Sequence, residues 1–163
     1  MIRLQLEDNY IDELLGVMLS EKFDWHFQDR LTPEQTDDKL ISFTHLFYNQ
    51  ITHKTSPFFD MLVPWLNKLK IETGSPRAII RIKANLMMNT GQGVVEHGVH
   101  EDYEFPHQGA LLSLNTCNGY TRIEDKRYNS KKGECIIFNP NLKHTGSTTS
   151  NAGYRCNIIT NYF

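Results

Sequence analysis

His100 and Asp102 form an H-x-D pair within the run His97-Gly98-Val99-His100-Glu101-Asp102. On an extended strand, side chains two residues apart point to the same face, so this imidazole and this carboxylate converge. A third donor, His144, stands far downstream in Asn141-Leu142-Lys143-His144-Thr145-Gly146, and Arg155 opens a strand-like run that ends at Phe163. Two histidines and one carboxylate on adjacent strands make the facial triad that holds non-haem Fe(II) and leaves coordination positions open. The planar fork of Arg155 suits bidentate pairing with a carboxylate, which a lysine point charge does less specifically. The carboxylate it suggests is the far end of 2-oxoglutarate, whose 2-oxo and adjacent carboxylate groups would chelate the iron and leave a position for O2.

The elements able to carry such a site fill the C-terminal half. After Glu72-Thr73-Gly74-Ser75-Pro76 the hydrophobic period changes from helical to alternating. Short apolar runs at 78–87, 95–102, 109–115, 120–124, 134–139, 142–146 and 153–162 are separated by turn residues, with a weaker run at 126–130. That short, regular spacing predicts a jelly roll. Its clearest turns are 115–119 and 130–133, where Gly119 and Gly133 are available for positive φ. In this arrangement His100 and Asp102 end one strand, His144 lies near the end of another, and Arg155 stands on the last.

The first half reads as helical. Ile11, Leu14, Leu15 and Met18 recur at helical spacing behind Asp8 or Asn9 as a cap. Thr32-Pro33-Glu34-Gln35 is a helix-start signal, followed by Leu40, Ile41, Phe43, Leu46, Phe47 and Ile51. Ser56-Pro57 starts a further helix through Phe58, Met61, Leu62, Trp65, Leu66 and Leu69, interrupted at Pro64. The expectation is a single domain over 1–163, mainly β, in which a helical buttress (1–76) supports a double-stranded β-helix core (77–163).

Composition narrows the function. With 163 residues, a net charge of −2 and pI ≈ 6.4, the chain has no general drive toward nucleic acid or an anionic membrane. No apolar run approaches a membrane span, and the N-terminus lacks a signal-peptide core, so a cytoplasmic setting is expected. Cys117, Cys135 and Cys156 are odd in number and lack C-x-x-C spacing, which argues against a disulfide framework or structural zinc. There is no H-E-x-x-H of a zinc protease and no glycine-rich phosphate loop.

Taken together, Arg81-Ile82-Lys83-Ala84-Asn85-Leu86, the H-x-D run, 109–125, Gly133-Glu134-Cys135-Ile136-Ile137-Phe138 through His144, and 154–163 resemble the Fe(II)/2-oxoglutarate-dependent oxygenases. The likeness spans about residues 78–163 and is nearest to the small forms carried by marine phages, related to prolyl 4-hydroxylases. It implies a double-stranded β-helix with iron on His100, Asp102 and His144, and Arg155 on the distal carboxylate of 2-oxoglutarate. It also implies O2-dependent hydroxylation of a substrate C–H bond, with release of succinate and CO2. Asn85 matches an asparagine that touches 2-oxoglutarate in alkylated-DNA-repair dioxygenases, and Asn157, two after Arg155, matches an R-x-N in those same enzymes; the likeness implies both beside the co-substrate. Arg155 replaces the lysine usual in prolyl hydroxylases, and their tyrosine ahead of the H-x-D is not evident. The substrate does not transfer from them: a peptidyl residue, a nucleobase and a free metabolite all stay open. The alternative is a cupin-like metal-binding module without oxygenase activity, although cupins usually present H-x-H plus glutamate and need no Arg155.

The remaining candidates have plainer readings beside them. His97, three residues before His100, faces the opposite side of a regular strand, or is a rival ligand if the register shifts. His107 touches substrate or supports a ligand, or is an ordinary loop histidine. Tyr103 and Phe105 form an aromatic wall for substrate, or simply close the barrel end. Lys126, Arg127, Lys131 and Lys132 protect a solvated edge, or meet an acidic partner. His26, His45 and His53 are read as structural.

Overall fold

The computed structural model describes residues 2–28, 42–74 and 76–163. In chain order its elements are β1 (Ile2–Gln5), α1 (Asp8–Met18), β2 (His26–Gln28), β3 (Ser42–Asn49) and β4 (Lys54–Thr55). A 3-10 turn (Phe59–Leu62) then runs into α2 (Val63–Thr73). The second half supplies β5 (Ile79–Met88), β6 (Gln108–Ser113), β7 (Tyr120–Ile123), β8 (Lys126–Asn129), β9 (Glu134–Phe138), β10 (His144–Gly146) and β11 (Tyr154–Tyr162).

Alternation along the strands fixes two layers. The major sheet runs β1-β9-β6-β11-β5-β3-β2, with β4 on β3, and the minor sheet runs β10-β7-β8. On β5, Ile82, Ala84 and Leu86 join Leu112, Cys135, Ile137 and Ile158 from other strands of the sheet in one core. That face is covered by Ile11, Leu14 and Met18 of α1 and by Trp65 and Leu69 of α2. Each such side chain, fully buried, contributes about 1.5–3 kcal/mol. The opposite face meets the minor sheet through a smaller cluster, in which Leu111, Ile136, Phe138 and Ile159 pack on Ile123 and Tyr128. The rest of that inner face carries Arg81, Lys83, Asn85, Arg155 and Asn157 beside Met87, and it is where the site lies.

Helices α1 and α2 back the major sheet, but residues 1–76 are not a purely helical buttress, because β1 to β4 of the same half join that sheet. Helix α1 starts at Asp8, with Glu7 in the cap position and no side-chain cap bond, so neither Asp8 nor Asn9 caps it. Pro64 falls at the start of α2, at the join with the 3-10 turn, where a missing N–H costs little. Gly74 closes α2 with φ 67°.

Two expectations are corrected. The run containing Phe43, Leu46 and Phe47 is strand β3, not a helix; Thr32–Gln35, Leu40 and Ile41 lie outside the described residues. A register shift against β5 between Leu46 and Tyr48 changes which side chains face inward partway along β3. The helix-like spacing of 43, 46 and 47 arises because Leu46 lies opposite Lys83, on the other face from Phe43 and Phe47, which join the core. Residues 95–102 do not form a continuous strand either. They touch β10 and its extension through isolated bridges, Glu96 with Ser147 and His100 with His144. Among the described residues no helix is long and apolar enough to cross a membrane.

Candidate metal centre

His100 and His144 sit opposite each other in an antiparallel bridge. Each backbone N–H donates to the other's carbonyl, at 2.9 and 3.0 Å. Their ring centroids lie 4.5 Å apart. Nδ1 of His100 is 3.1 Å from the Gly98 carbonyl, and Nδ1 of His144 is 2.8 Å from the Leu142 carbonyl. A carbonyl only accepts, so each Nδ1 carries the proton and each Nε2 keeps a lone pair for a metal. With Asp102 the two rings form a donor set whose ligand atoms all lie within 4.8 Å of one another. Burial lowers the basicity of His144, reinforced by the neighbouring His100, which favours the neutral ligand form.

Asp102 is held from both sides. Nη2 of Arg81 donates to Oδ1 at 3.1 Å, and Nδ2 of Asn161 donates to Oδ2 at 2.8 Å. Arg81 also reaches the Asn161 amide oxygen at 3.2 Å. Burial raises the carboxyl pKa, but Arg81, the Asn161 bond and the two histidines outweigh it, and the net shift is downward. The ligand is thus an oriented carboxylate at neutral pH. Asn161 further meets Nε2 of His107 at 3.1 Å, while Nδ1 of His107 donates to the Phe105 carbonyl at 2.9 Å. His107 accordingly steadies the residue that steadies Asp102. Tyr103 lies beneath the Arg81 guanidinium, 5.2 Å from its centroid, and stacks on Phe105 at 5.0 Å. These aromatics pack beside the ligand carboxylate and do not line the pocket.

A pocket opens over these groups, spanning about 650 Å³ with its open mouth included. The three candidate ligands and Arg155 share it. Arg155, 1% exposed, bonds the Ser147 carbonyl at 3.2 Å and the Thr121 hydroxyl at 2.8 Å, and among the described residues no carboxylate pairs with it. Burial pulls its pKa down to about 10, which leaves it charged at neutral pH. The chain makes room for it by omitting side chains: a Cβ at Gly119 would lie 2.7 Å from the Arg155 Cδ, and one at Gly146 3.4 Å from its Nη1. Gly119 therefore serves close approach and not positive φ. Asn85 and Asn157 face each other across β5 and β11, with Nδ2 of Asn85 donating to Oδ1 of Asn157 at 2.9 Å, and both line the pocket.

His97 departs from its expected place. It is buried and lines the same pocket, because the irregular 95–102 segment does not alternate as a strand would. Neither ring nitrogen has a hydrogen-bond partner. Burial, with Arg155 and His100 adding to it, drives its pKa down to about 4. It is not in the donor set.

Arg81, Lys83 and Asn161 were not singled out by sequence reasoning. Their signal was parity: 81 and 83 share the face of Asn85, and 161 shares the face of Asn157. The basic stretch is partly neutralised: Arg127 approaches Glu96 at 3.7 Å and Lys132 pairs with Asp12 at 2.7 Å. The three cysteines are free and buried.

Over residues 106–160 the sequence matches the family described as the AraC-like ligand binding domain. No curated protein sequence matches the chain. Similar solved structures include the non-haem α-ketoglutarate-dependent epimerase SnoN from nogalamycin biosynthesis, at TM-score 0.68 and 15% identity, covering 99% of this chain and 76% of that one. A Pseudomonas putida prolyl-4-hydroxylase aligns at TM-score 0.63 and 11% identity, covering 99% and 91%. HygX from Streptomyces hygroscopicus, solved with nickel and 2-oxoglutarate bound, aligns at TM-score 0.62 and 11% identity, covering 99% and 81%. By fold, the chain is a jelly roll of the kind that these three proteins share.

Proposed function

We propose that this protein is an Fe(II)- and 2-oxoglutarate-dependent oxygenase that hydroxylates a C–H bond of its substrate and releases succinate and CO2. One observation carries the reading: a His-Asp-His donor set with ligand atoms within 4.8 Å shares a pocket with a buried arginine that has no carboxylate partner among the described residues. Burying an unpaired guanidinium costs several kcal/mol, which a ligand carboxylate offsets. The likeness of fold to α-ketoglutarate-dependent and prolyl-hydroxylating proteins supports the same reading.

The donor set fits ferrous iron: two neutral imidazoles with free Nε2 atoms and one carboxylate, with space left for further ligands. Once iron and 2-oxoglutarate are bound there, the chemistry supplied is O2-dependent C–H hydroxylation coupled to decarboxylation of the keto acid. His100, Asp102 and His144 hold the metal. Arg81 and Asn161 fix the Asp102 carboxylate, and the Gly98 and Leu142 carbonyls fix both rings. Arg155 anchors the distal carboxylate of the co-substrate, and the Asn85–Asn157 pair offers amide groups alongside it.

Anaerobic addition of Fe(II) and 2-oxoglutarate is expected to give a weak visible charge-transfer band. His100→Ala and Asp102→Ala abolish it. Arg155→Ala retains metal binding and weakens 2-oxoglutarate by at least about 30-fold, the loss expected for one partner of a buried charge pair. An unchanged 2-oxoglutarate affinity in Arg155→Ala refutes the role given to that residue. The second reading, a cupin-like metal-binding module, is favoured by the match of residues 106–160 to a ligand-binding domain family. It predicts metal uptake with no dependence on Arg155 and no succinate formed under air.

A further inference from the structure

Charge within the pocket is unbalanced. Its lining contains the cations Arg81, Lys83 and Arg155 against the single carboxylate of Asp102. Arg81 is paired with that carboxylate. In the oxygenase reading, ferrous iron and the 2-oxoglutarate dianion cancel each other's charge, so loading the site leaves the excess in place. Arg155 serves the distal carboxylate and the metal serves the proximal one. Lys83 is then surplus to the co-substrate.

Its position is specific. Lys83 lies on the pocket face of β5, between Arg81 at the Asp102 end and Asn85 near the Arg155 end. Its cross-strand neighbours are Ile159 on β11 and Leu46 on β3, neither able to accept a hydrogen bond from its side chain. Its ammonium has no hydrogen bond and no ion pair among the described residues, whereas Arg81, two positions away, has both. Lys83 is only partly buried, so its ammonium is open to the pocket and able to take an incoming anion. Burial, and the nearby Arg81, lower its pKa to about 8, so it is still mostly charged near neutral pH.

We propose that Lys83 receives an anionic group, a carboxylate or a phosphate, of the molecule to be oxidised, so that the substrate is a small acid. This assignment rests on the oxygenase reading. It narrows the substrate from any C–H compound to one that brings its own negative charge to the β5 side of the metal.

The test uses the full chain loaded with Mn(II) and 2-oxoglutarate. Acetate and inorganic phosphate serve as the probes, followed by paramagnetic relaxation of the acetate methyl protons and of the phosphate 31P nucleus. That signal detects weak occupancy close to the metal. Both the unaltered protein and Lys83→Arg should enhance relaxation of at least one probe. Lys83→Met should weaken that binding by about tenfold, as for loss of a hydrogen bond to a charged group. Calorimetry should show 2-oxoglutarate affinity changed by less than about twofold in Lys83→Met, as for independent sites. The probe with the larger response tells carboxylate from phosphate. A tenfold loss of 2-oxoglutarate affinity in Lys83→Met overturns the proposal, because the lysine then belongs to the co-substrate. Equal relaxation in the unaltered protein and in Lys83→Met, with 2-oxoglutarate bound in both, overturns it as well. Failure of the unaltered Mn(II) protein to bind 2-oxoglutarate is a distinct result that refutes the oxygenase reading, and Lys83's assignment with it.

Discussion

Replacing His97 by leucine should flatten the acid limb of the protein's stability curve. In the folded chain this imidazole is buried with both nitrogens unpartnered, and its pKa is depressed from 6.5 to about 4. In the unfolded chain it titrates near its ordinary value. Between those two values the unfolded state binds a proton that the folded state refuses, so stability falls as pH falls. Each pH unit in that window is worth about 1.4 kcal/mol, so the full penalty is about 3 kcal/mol, of which about 2 accrues between pH 6.5 and 5. Above the window His97 is neutral in both states and contributes no slope. Urea unfolding of the metal-free protein, with chelator present, gives the free energy at each pH for both proteins. Titrating groups common to both cancel in the difference. The unaltered protein should lose about 2 kcal/mol more than His97→Leu over the upper part of the window. Parallel curves would mean that His97 takes up its proton while folded, and the account of a dry, unpartnered imidazole would be wrong.

Two further outcomes test the supports of the site. Asn161→Leu strips a donor from Asp102 and from His107 together, and should weaken metal binding by about tenfold, measured by Mn(II) or Zn(II) titration. Equal affinity would show that Arg81 alone holds the carboxylate. Gly119→Ala places a methyl 2.6 Å from the Thr148 carbonyl oxygen and 2.7 Å from the Arg155 Cδ, so the backbone must shift. It should cost about 1–3 kcal/mol in urea unfolding and reduce 2-oxoglutarate affinity while metal affinity holds.

How far the chain could be read before its structure depended on whether local pattern and tertiary pairing agreed. They agree along β5, β6, β9 and β11, whose alternating runs are strands and whose register sets Asn85, Arg155 and Asn157 on one face. The donor atoms of His100, Asp102 and His144 lie together. Pattern and pairing part company in β3, where Leu46 on the face opposite Phe43 and Phe47 gives a strand a helix-like spacing. They part again at 95–102, where isolated bridges replace a continuous ladder and turn His97 inward. Arg81, Lys83 and Asn161 were legible in principle from parity. Their partners were not, because the Arg81–Asp102–Asn161 network joins residues 59 and 80 positions apart.

The reciprocal backbone pair between His100 and His144 has a mechanical consequence. The segment before Asp102 is tied to β10 by scattered bridges and not by a full ladder, so its amides should exchange with solvent deuterium earlier than those of β5 or β11. A cation gripped by both imidazoles would act as a non-covalent rivet across that seam. Occupancy should then slow exchange at the amides of His97, His100 and His144 while leaving the helices on the far side of the major sheet unchanged.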